Sequence, residues 1–191
     1  MTPKELARAY WAATDAGEDV SPFFADRFLW EGPQPVPDAR TISELTEGWL
    51  KPYRAALPVV ERQFHILMAG TSSGRVDGGP DGRMWVGATG YLIVRPVAAF
   101  HGIPAVDSVL RLRWGECMHI EDGRIVETQM LIDLMDWFEQ IGRPVLPPSR
   151  GVPLVWPAPT AFDGVMTGVA DPDDTARTLA LGRELLFGGL N

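Results

Sequence analysis

Glu116 is the residue whose surroundings in the sequence most strongly indicate chemistry. It lies within residues 106–120, where apolar and polar side chains alternate in the pattern of a β-strand. The side chains that share its face are otherwise all apolar: Leu110, Leu112, Trp114, Met118 and Ile120. Burying a carboxylate is costly and raises its pKa, which suits the group to proton transfer near neutral pH. We therefore predict Glu116 as a catalytic general base.

Two other interpretations of Glu116 remain open. A β-bulge at Gly115 would reverse the alternation and turn Glu116 towards solvent. An inward Glu116 could also serve only to satisfy an arginine or a backbone group.

Several aromatic residues are candidates for a ligand pocket. Trp30, Trp49 and Trp114, together with Met118, could line the wall against a hydrophobic ligand, although each could equally pack in the core. His101 precedes a Gly-Ile-Pro turn and could lie at the pocket mouth, or it could be solvated. We predict these five residues as substrate-binding.

The remaining nucleophiles and bases carry less weight. Alternation on the first predicted strand places Phe64, Ile66 and Met68 on the apolar face and His65 on the other, so a surface role is expected for His65. His119 lies on the polar face of its strand, which favours a structural role. The sequence has neither a Gly-x-Ser-x-Gly nucleophile elbow nor a glycine-rich phosphate loop.

The elements that position these residues follow a simple order. Capping-box patterns begin helices near 2–16 and 41–56, and strands are predicted at 59–69, 83–95, 106–120 and 124–132. Asp122-Gly123 predicts the hairpin between the last two strands, and Asp133 begins a short helix. We predict an α+β fold in which helices pack on one face of a curved antiparallel sheet and form a cone-shaped pocket.

The chain divides near residue 143. Residues 1–143 form the predicted pocket domain, and residues 144–191 form a proline-rich arm that ends in a helix beginning at Asp171. The leucines of that helix need a surface, which could be the sheet, the pocket mouth or a second subunit. We expect a homodimer.

Composition excludes several classes of partner. The formal net charge of −8 over 191 residues disfavours binding to nucleic acid or to an anionic membrane surface. The single cysteine, Cys117, cannot form an internal disulfide, and no Cys/His cluster has the spacing of a metal site. No apolar run has the length of a membrane span, so we expect a cytoplasmic protein.

A set of short motifs resembles a known family. Gly102-Ile103-Pro104 is followed by Glu116, the hairpin at 122–127, Asp133 and Gln140-Ile141-Gly142. This order and spacing over residues 100–142 resembles the SnoaL-like polyketide cyclases of the nuclear-transport-factor-2-like superfamily.

The resemblance implies an activity and a site. Members of that family close a ring in an aromatic polyketide by an intramolecular aldol reaction, without a metal or an organic cofactor. Glu116 occupies the position of their aspartate base, so the implied ligand is polyketide-like or another small hydrophobic molecule. The sequence departs from the family at Glu116 itself, at Ala105-Val106-Asp107 in place of Pro-Thr-Gly, and at His119 in place of an arginine.

Other functions remain as alternatives. The chain could be a binding protein for a small hydrophobic ligand, or a dimeric assembly domain whose pocket is filled by its own side chains. Ketosteroid isomerases and epoxide hydrolases share the predicted fold. An epoxide hydrolase needs an arginine and two carboxylates on one pocket face, whereas Arg113 and Glu116 alternate to opposite faces.

Overall fold

The helices begin and end close to the predicted positions. A computed structural model of the chain describes residues 1–72, 81–147, 157–161 and 163–189. In helix α1 the Thr2 side chain and Glu5 form the expected capping box, and Gly17 ends the helix in the left-handed conformation with φ 77°. The helices are α1 (Pro3–Ala16), α2 (Ile42–Leu45), α3 (Lys51–Ala56), α4 (Leu134–Gln140) and α5 (Pro172–Glu184), with a π-helical turn, Thr46–Leu50, joining α2 to α3.

A five-stranded sheet lies at the centre of the fold. Its order is β1-β5-β4-β3-β2, and the pairs β2–β3, β3–β4 and β4–β5 are antiparallel. This confirms the α+β class with a mostly antiparallel sheet. The strands are β1 (Phe24–Glu31), β2 (Val59–Thr71), β3 (Met84–Val94), β4 (Leu110–Glu121) and β5 (Arg124–Ile132).

Two features of the sheet differ from the prediction. Residues 24–31, which were not among the four predicted strands, form strand β1, which pairs in parallel with β5. Strand β4 begins at Leu110 and not at 106, because residues 104–109 lie outside the ladder between β3 and β4. The parallel pairing of β1 with β5 joins strands that are distant in the chain, so it leaves no local pattern in the sequence.

The predicted inner face of β2 is wrong beyond Phe64. The pairing of β2 with β3 shifts between Phe64 and Ile66, which is a β-bulge. The bulge reverses the alternation, so Leu67 is 1% exposed whereas Met68 is 60% exposed. Ile66 therefore lies with His65 on the outer face of the sheet, whereas strict alternation had placed Ile66 on the apolar inner face.

The core lies between the inner face of the sheet and the helices. Five tryptophan side chains are among its largest fully buried members, and α1 packs on β2 and β3. Large rings fill volume and stabilise a core by removing apolar area from water. The fully buried tryptophans are Trp11, Trp30, Trp49, Trp114 and Trp137.

Described residues of the C-terminal arm pair with the edge strand β2. The Leu67 N–H donates to the Gly164 carbonyl at 2.8 Å, and Val165 forms a parallel bridge with Leu67. Leu181 and Leu185 of the terminal helical segment are 66% and 59% exposed in the single chain. The homodimer that would cover them stays a prediction. Part of the arm, residues 148–156, lies outside the described residues. No helix within the described ranges is long and apolar enough to cross a membrane.

Candidate active site around Glu116

Glu116 points into the interior of the protein. The register between β3 and β4 is continuous from Leu110 to Ile120, so no bulge at Gly115 interrupts the alternation on that side. The side chain is 3% exposed and shares its face with Trp114 and Met118. The orientation that alternation predicts is therefore the one observed.

Two donors hold the buried carboxylate. The Trp11 indole N–H donates to Oε2 at 2.6 Å, and the Thr128 hydroxyl donates to Oε1 at 2.9 Å. Trp11 comes from α1, and Thr128 comes from β5, the neighbouring strand. Each carboxylate oxygen has two lone pairs, so both oxygens keep acceptor capacity for a third group.

Burial controls the protonation of Glu116. Desolvation raises the pKa of the carboxyl above its usual value, because the charged form loses its hydration. The hydrogen bond from Trp11, the positive charge of Arg62 and the hydrogen bond from Thr128 act in the opposite direction. The net result is a raised pKa, which is what a carboxylate base working near neutral pH requires.

A largely buried ion pair lies on the same side of the sheet as Glu116. Arg62 Nε and Nη2 donate to the two carboxylate oxygens of Asp15, each at 2.6 Å, in a bidentate arrangement. Tyr53 Oη lies 3.3 Å from Asp15 and 3.5 Å from Arg62. The guanidinium carbon is 4.5 Å from the centre of the Trp114 ring, close enough for a cation–π contact. Burial alone would lower the pKa of Arg62, but the hydrogen bonds to Asp15 and the neighbouring negative charges raise it, so the group stays charged.

The sequence analysis missed Arg62 and Asp15. Asp15 lies in the last turn of α1, where the negative end of the helix dipole disfavours a carboxylate. An acid at this position is therefore unusual and was a possible signal. Arg62 alternates with Phe64 on β2, and this alternation was the available signal that its side chain faces the interior. Arg113 does lie on the outer face, where it pairs with Asp133. The interior nevertheless contains one arginine and two carboxylates, so the reason for setting aside an epoxide hydrolase does not hold.

The aromatic residues predicted to line a pocket are buried and pack against one another. Trp114 contacts Trp11 with ring centres 5.4 Å apart, which brings it next to the donor of Glu116. Trp30 and Trp49 contact each other at 5.3 Å, and Met118 is fully buried. All four predicted residues thus lie in the core, and their role in binding a substrate stays a prediction.

The histidine rings contact aromatic residues and not the donors that hold Glu116. His101 is exposed, with φ 44°, and its ring contacts Phe100. His119 is 5% exposed and stacks on Trp85, in keeping with a structural role. His65 lies beside Tyr91 on the outer face.

Two cavities bordered by described residues lie on the outer face of the sheet. The larger, about 440 Å³, lies between the sheet and residues 157–160 and is lined by His65, Thr89, Tyr91 and Arg113. The smaller, about 350 Å³, is lined by Thr89, Arg113, Leu131 and Asp133. Because Ala88, not Thr89, pairs with Glu116, these cavities and Glu116 are on opposite faces. Within the described part of the chain, no three His, Cys, Asp or Glu residues cluster as a metal site would require.

Comparison with known proteins shows similarity in structure. The chain matches no family model and no curated protein. A putative polyketide cyclase from Pseudomonas putida KT2440 superposes with a TM-score of 0.55 at 20% identity, over 73% of this chain and 98% of that one. IdmH, a putative polyketide cyclase from Streptomyces antibioticus, gives 0.56 at 16% identity, over 74% and 99%. A putative SnoaL-like polyketide cyclase from Shewanella putrefaciens CN-32 gives 0.53 at 13% identity, over 74% and 87%.

These superpositions cover nearly the whole of the first two relatives but leave about a quarter of this chain without a counterpart in them. At such low identity they establish the fold and not the activity. The chain therefore has the fold of the SnoaL-like polyketide cyclases, as its motifs between residues 100 and 142 predicted.

Proposed function

We propose that this protein is a cofactor-independent cyclase or isomerase that acts on a small hydrophobic, polyketide-like ketone with Glu116 as general base. The observation that carries the proposal is the buried Glu116 carboxylate, held by Trp11 and Thr128 and raised in pKa by desolvation. A base of this kind is matched to a carbon acid next to a carbonyl. The likeness in fold to proteins described as polyketide cyclases supports the same class of substrate.

The proposed reaction is redox-neutral and needs no second substrate. Glu116 takes a proton from the carbon next to one carbonyl and leaves an enolate. The enolate carbon attacks a second carbonyl carbon of the same molecule, forming a carbon–carbon bond and an alkoxide. The alkoxide takes the proton back from Glu116, so the product is an isomer of the substrate and the base is regenerated.

Replacement of Glu116 tests the proposal. Glu116→Gln keeps the shape but removes the base; its amide oxygen can still accept from Trp11, while its NH2 group donates to the Thr128 hydroxyl in place of the bond that Glu116 accepted. Ring closure of a linear aromatic β-polyketone methyl ester, followed by absorbance and mass spectrometry above the uncatalysed rate, should fall by about two to four orders of magnitude, the usual contribution of a general base. Cys117→Ser is the matched control, because Cys117 is the next residue and lies exposed on the outer face. Equal turnover by wild-type and Glu116→Gln protein would refute the proposal, as would wild-type protein that is no faster than buffer.

The Arg62 cluster favours a second candidate, hydrolytic opening of an epoxide. That chemistry needs an arginine and two carboxylates, and Asp15, Arg62 and Glu116 provide that set in the interior. Styrene oxide distinguishes the two candidates. Diol formation that depends on both Asp15 and Glu116 would favour hydrolysis, and polyketone cyclisation that depends on Glu116 would favour the first proposal.

A further inference from the structure

The buried Arg62 side chain has one arm with no partner among the described residues. Nε and Nη2 are used by Asp15, while Nη1 is buried and has no hydrogen-bond acceptor there. The whole side chain is 6% exposed. A buried donor without an acceptor costs about 1–3 kcal/mol, so such groups are rare unless a ligand or water completes them.

The arrangement around Arg62 fixes the direction of this free arm. The bidentate contact with Asp15 prevents the guanidinium from rotating, and the Trp114 ring supports one of its faces. A donor fixed in this way is ready to bind an oxygen without reorganisation.

Arg62 and Glu116 flank the same aromatic pair. The Arg62 guanidinium lies over Trp114, Trp114 contacts Trp11, and Trp11 donates to Glu116. Trp114 and Glu116 are two residues apart on the inner face of β4, so the guanidinium over Trp114 lies on the side of the sheet to which Glu116 points. A molecule that gives a proton to Glu116 would therefore develop negative charge close to Arg62.

We propose that Arg62 Nη1 binds the enolate oxygen of the substrate, and that the ligand is therefore a ketone or 1,3-dicarbonyl compound whose carbonyl oxygen reaches Arg62 while its acidic carbon reaches Glu116. This inference rests on the proposed function of Glu116 and adds the oxygen-binding residue to it. The charges balance, because the enolate gains the negative charge that Glu116 loses. Arg62 remains protonated throughout.

The probe for this role is benzoylacetone, a 1,3-diketone whose keto and enolate forms absorb at different ultraviolet wavelengths. It is titrated with Glu116→Gln protein, in which the neutral amide mimics protonated Glu116 and no base is present. Bound probe should prefer the enolate over the keto form by about tenfold or more relative to free probe, the usual effect of one charge-assisted hydrogen bond. Adding Arg62→Lys keeps the positive charge and the pairing with Asp15 but removes the second arm of the fork, and the preference should disappear.

The enolate measurement tests the role of Arg62, whereas the cyclisation assay tests the function of Glu116, so the two proposals can fail independently. An enolate preference that survives Arg62→Lys overturns the proposal, and so does a Glu116→Gln protein that shows no enolate preference. If Arg62→Lys does not fold by near-ultraviolet circular dichroism, the neutral pair Asp15→Asn/Arg62→Gln replaces it with the same expected loss. Wild-type protein that fails to cyclise polyketones while the enolate preference persists would refute the function of Glu116 alone.

Discussion

Glu116 combines two properties at the scale of a single residue: it is almost fully buried, and both of its oxygens accept a hydrogen bond. Burial raises its pKa more than the donors and Arg62 lower it. The folded protein therefore holds a proton on Glu116 at pH values where the unfolded chain has released it.

This difference predicts how stability depends on pH. Below the ordinary value of 4.5 Glu116 is protonated in both states, and it loses its stabilising effect as pH rises through the raised pKa of the folded protein. The advantage of Glu116→Gln in free energy of unfolding should therefore grow with pH across that window and then become constant. Urea unfolding of both proteins between pH 4 and pH 8 measures it. A difference that does not change with pH would contradict a raised pKa.

The Trp11 side chain should contribute more to the stability of the protein than its volume alone would. Trp11→Phe removes the donor to Oε2 and leaves the carboxylate with Thr128 alone, so we expect the pKa of Glu116 to rise further. The lost hydrogen bond adds about 1–3 kcal/mol to the cost of the lost volume. Trp137→Phe is the matched control, since Trp137 is equally buried but its indole N–H has no partner among the described residues. Equal losses in thermal unfolding would mean that the hydrogen bond contributes nothing.

Strict alternation on β4 was sufficient to predict that Glu116 faces inwards, because the other residues on that face of the strand are all apolar. Alternation was insufficient to predict the pairing of Arg62 with Asp15. Each looks like an ordinary surface charge in the sequence, and only the contact between α1 and β2 shows that they satisfy each other in the interior.

At the scale of the elements, the bulge in β2 determines which residues reach the core. It lets Phe64 and Leu67 both face inwards with two residues between them. The strand was predicted correctly, but its register beyond Phe64 was not. A bulge depends on how two strands fit together, and the sequence of one strand does not encode it. The same holds for the parallel pairing of β1 with β5.

The close approach beside the bulge predicts a sharp difference between two glycines of β3. A Cβ at Gly90 would lie 2.0 Å from the Gln63 carbonyl oxygen, whereas one at Gly87 would have contacts no closer than 3.6 Å. Gly90→Ala should therefore destabilise the protein by about 3 kcal/mol or more, at the upper end of the cost of overpacking. Gly87→Ala should have little effect. Chemical denaturation measures both, and comparable stability of the two variants would refute the bulge geometry.

At the scale of the whole molecule, the described part of the arm is attached by backbone contacts to β2 and by one side-chain contact from α1. The Leu67–Gly164 hydrogen bond and the Val165 bridge extend the edge of β2, and Lys4 of α1 donates to the Met166 carbonyl. Covering a free edge protects its backbone groups from pairing with another chain. The division of the chain at residue 143 stays a prediction, although the structural relatives do lack about a quarter of this chain.

Gly164 should be necessary for this attachment. A Cβ there would lie 2.1 Å from the His65 carbonyl oxygen, so Gly164→Ala should release the arm from β2. The Leu67 amide should then exchange with deuterium faster by about tenfold or more, because its acceptor is lost. Gly168→Ala, where a Cβ meets nothing, is the control. Unchanged exchange at Leu67 in Gly164→Ala would show that the contact is not made in solution.

The hydrogen bond from Trp11 to Glu116 joins residues 105 positions apart. Strand β1 likewise cannot pair in the sheet until β5 has been synthesised. On the ribosome, α1 is therefore complete before β2 and β3, the strands on which it packs, have been synthesised. The nascent chain must carry much of that apolar surface until about half of the protein has emerged, a period in which chains of this topology are open to aggregation. Slow translation before residue 94 would lengthen this exposure, and chaperones that bind apolar helices would bind α1.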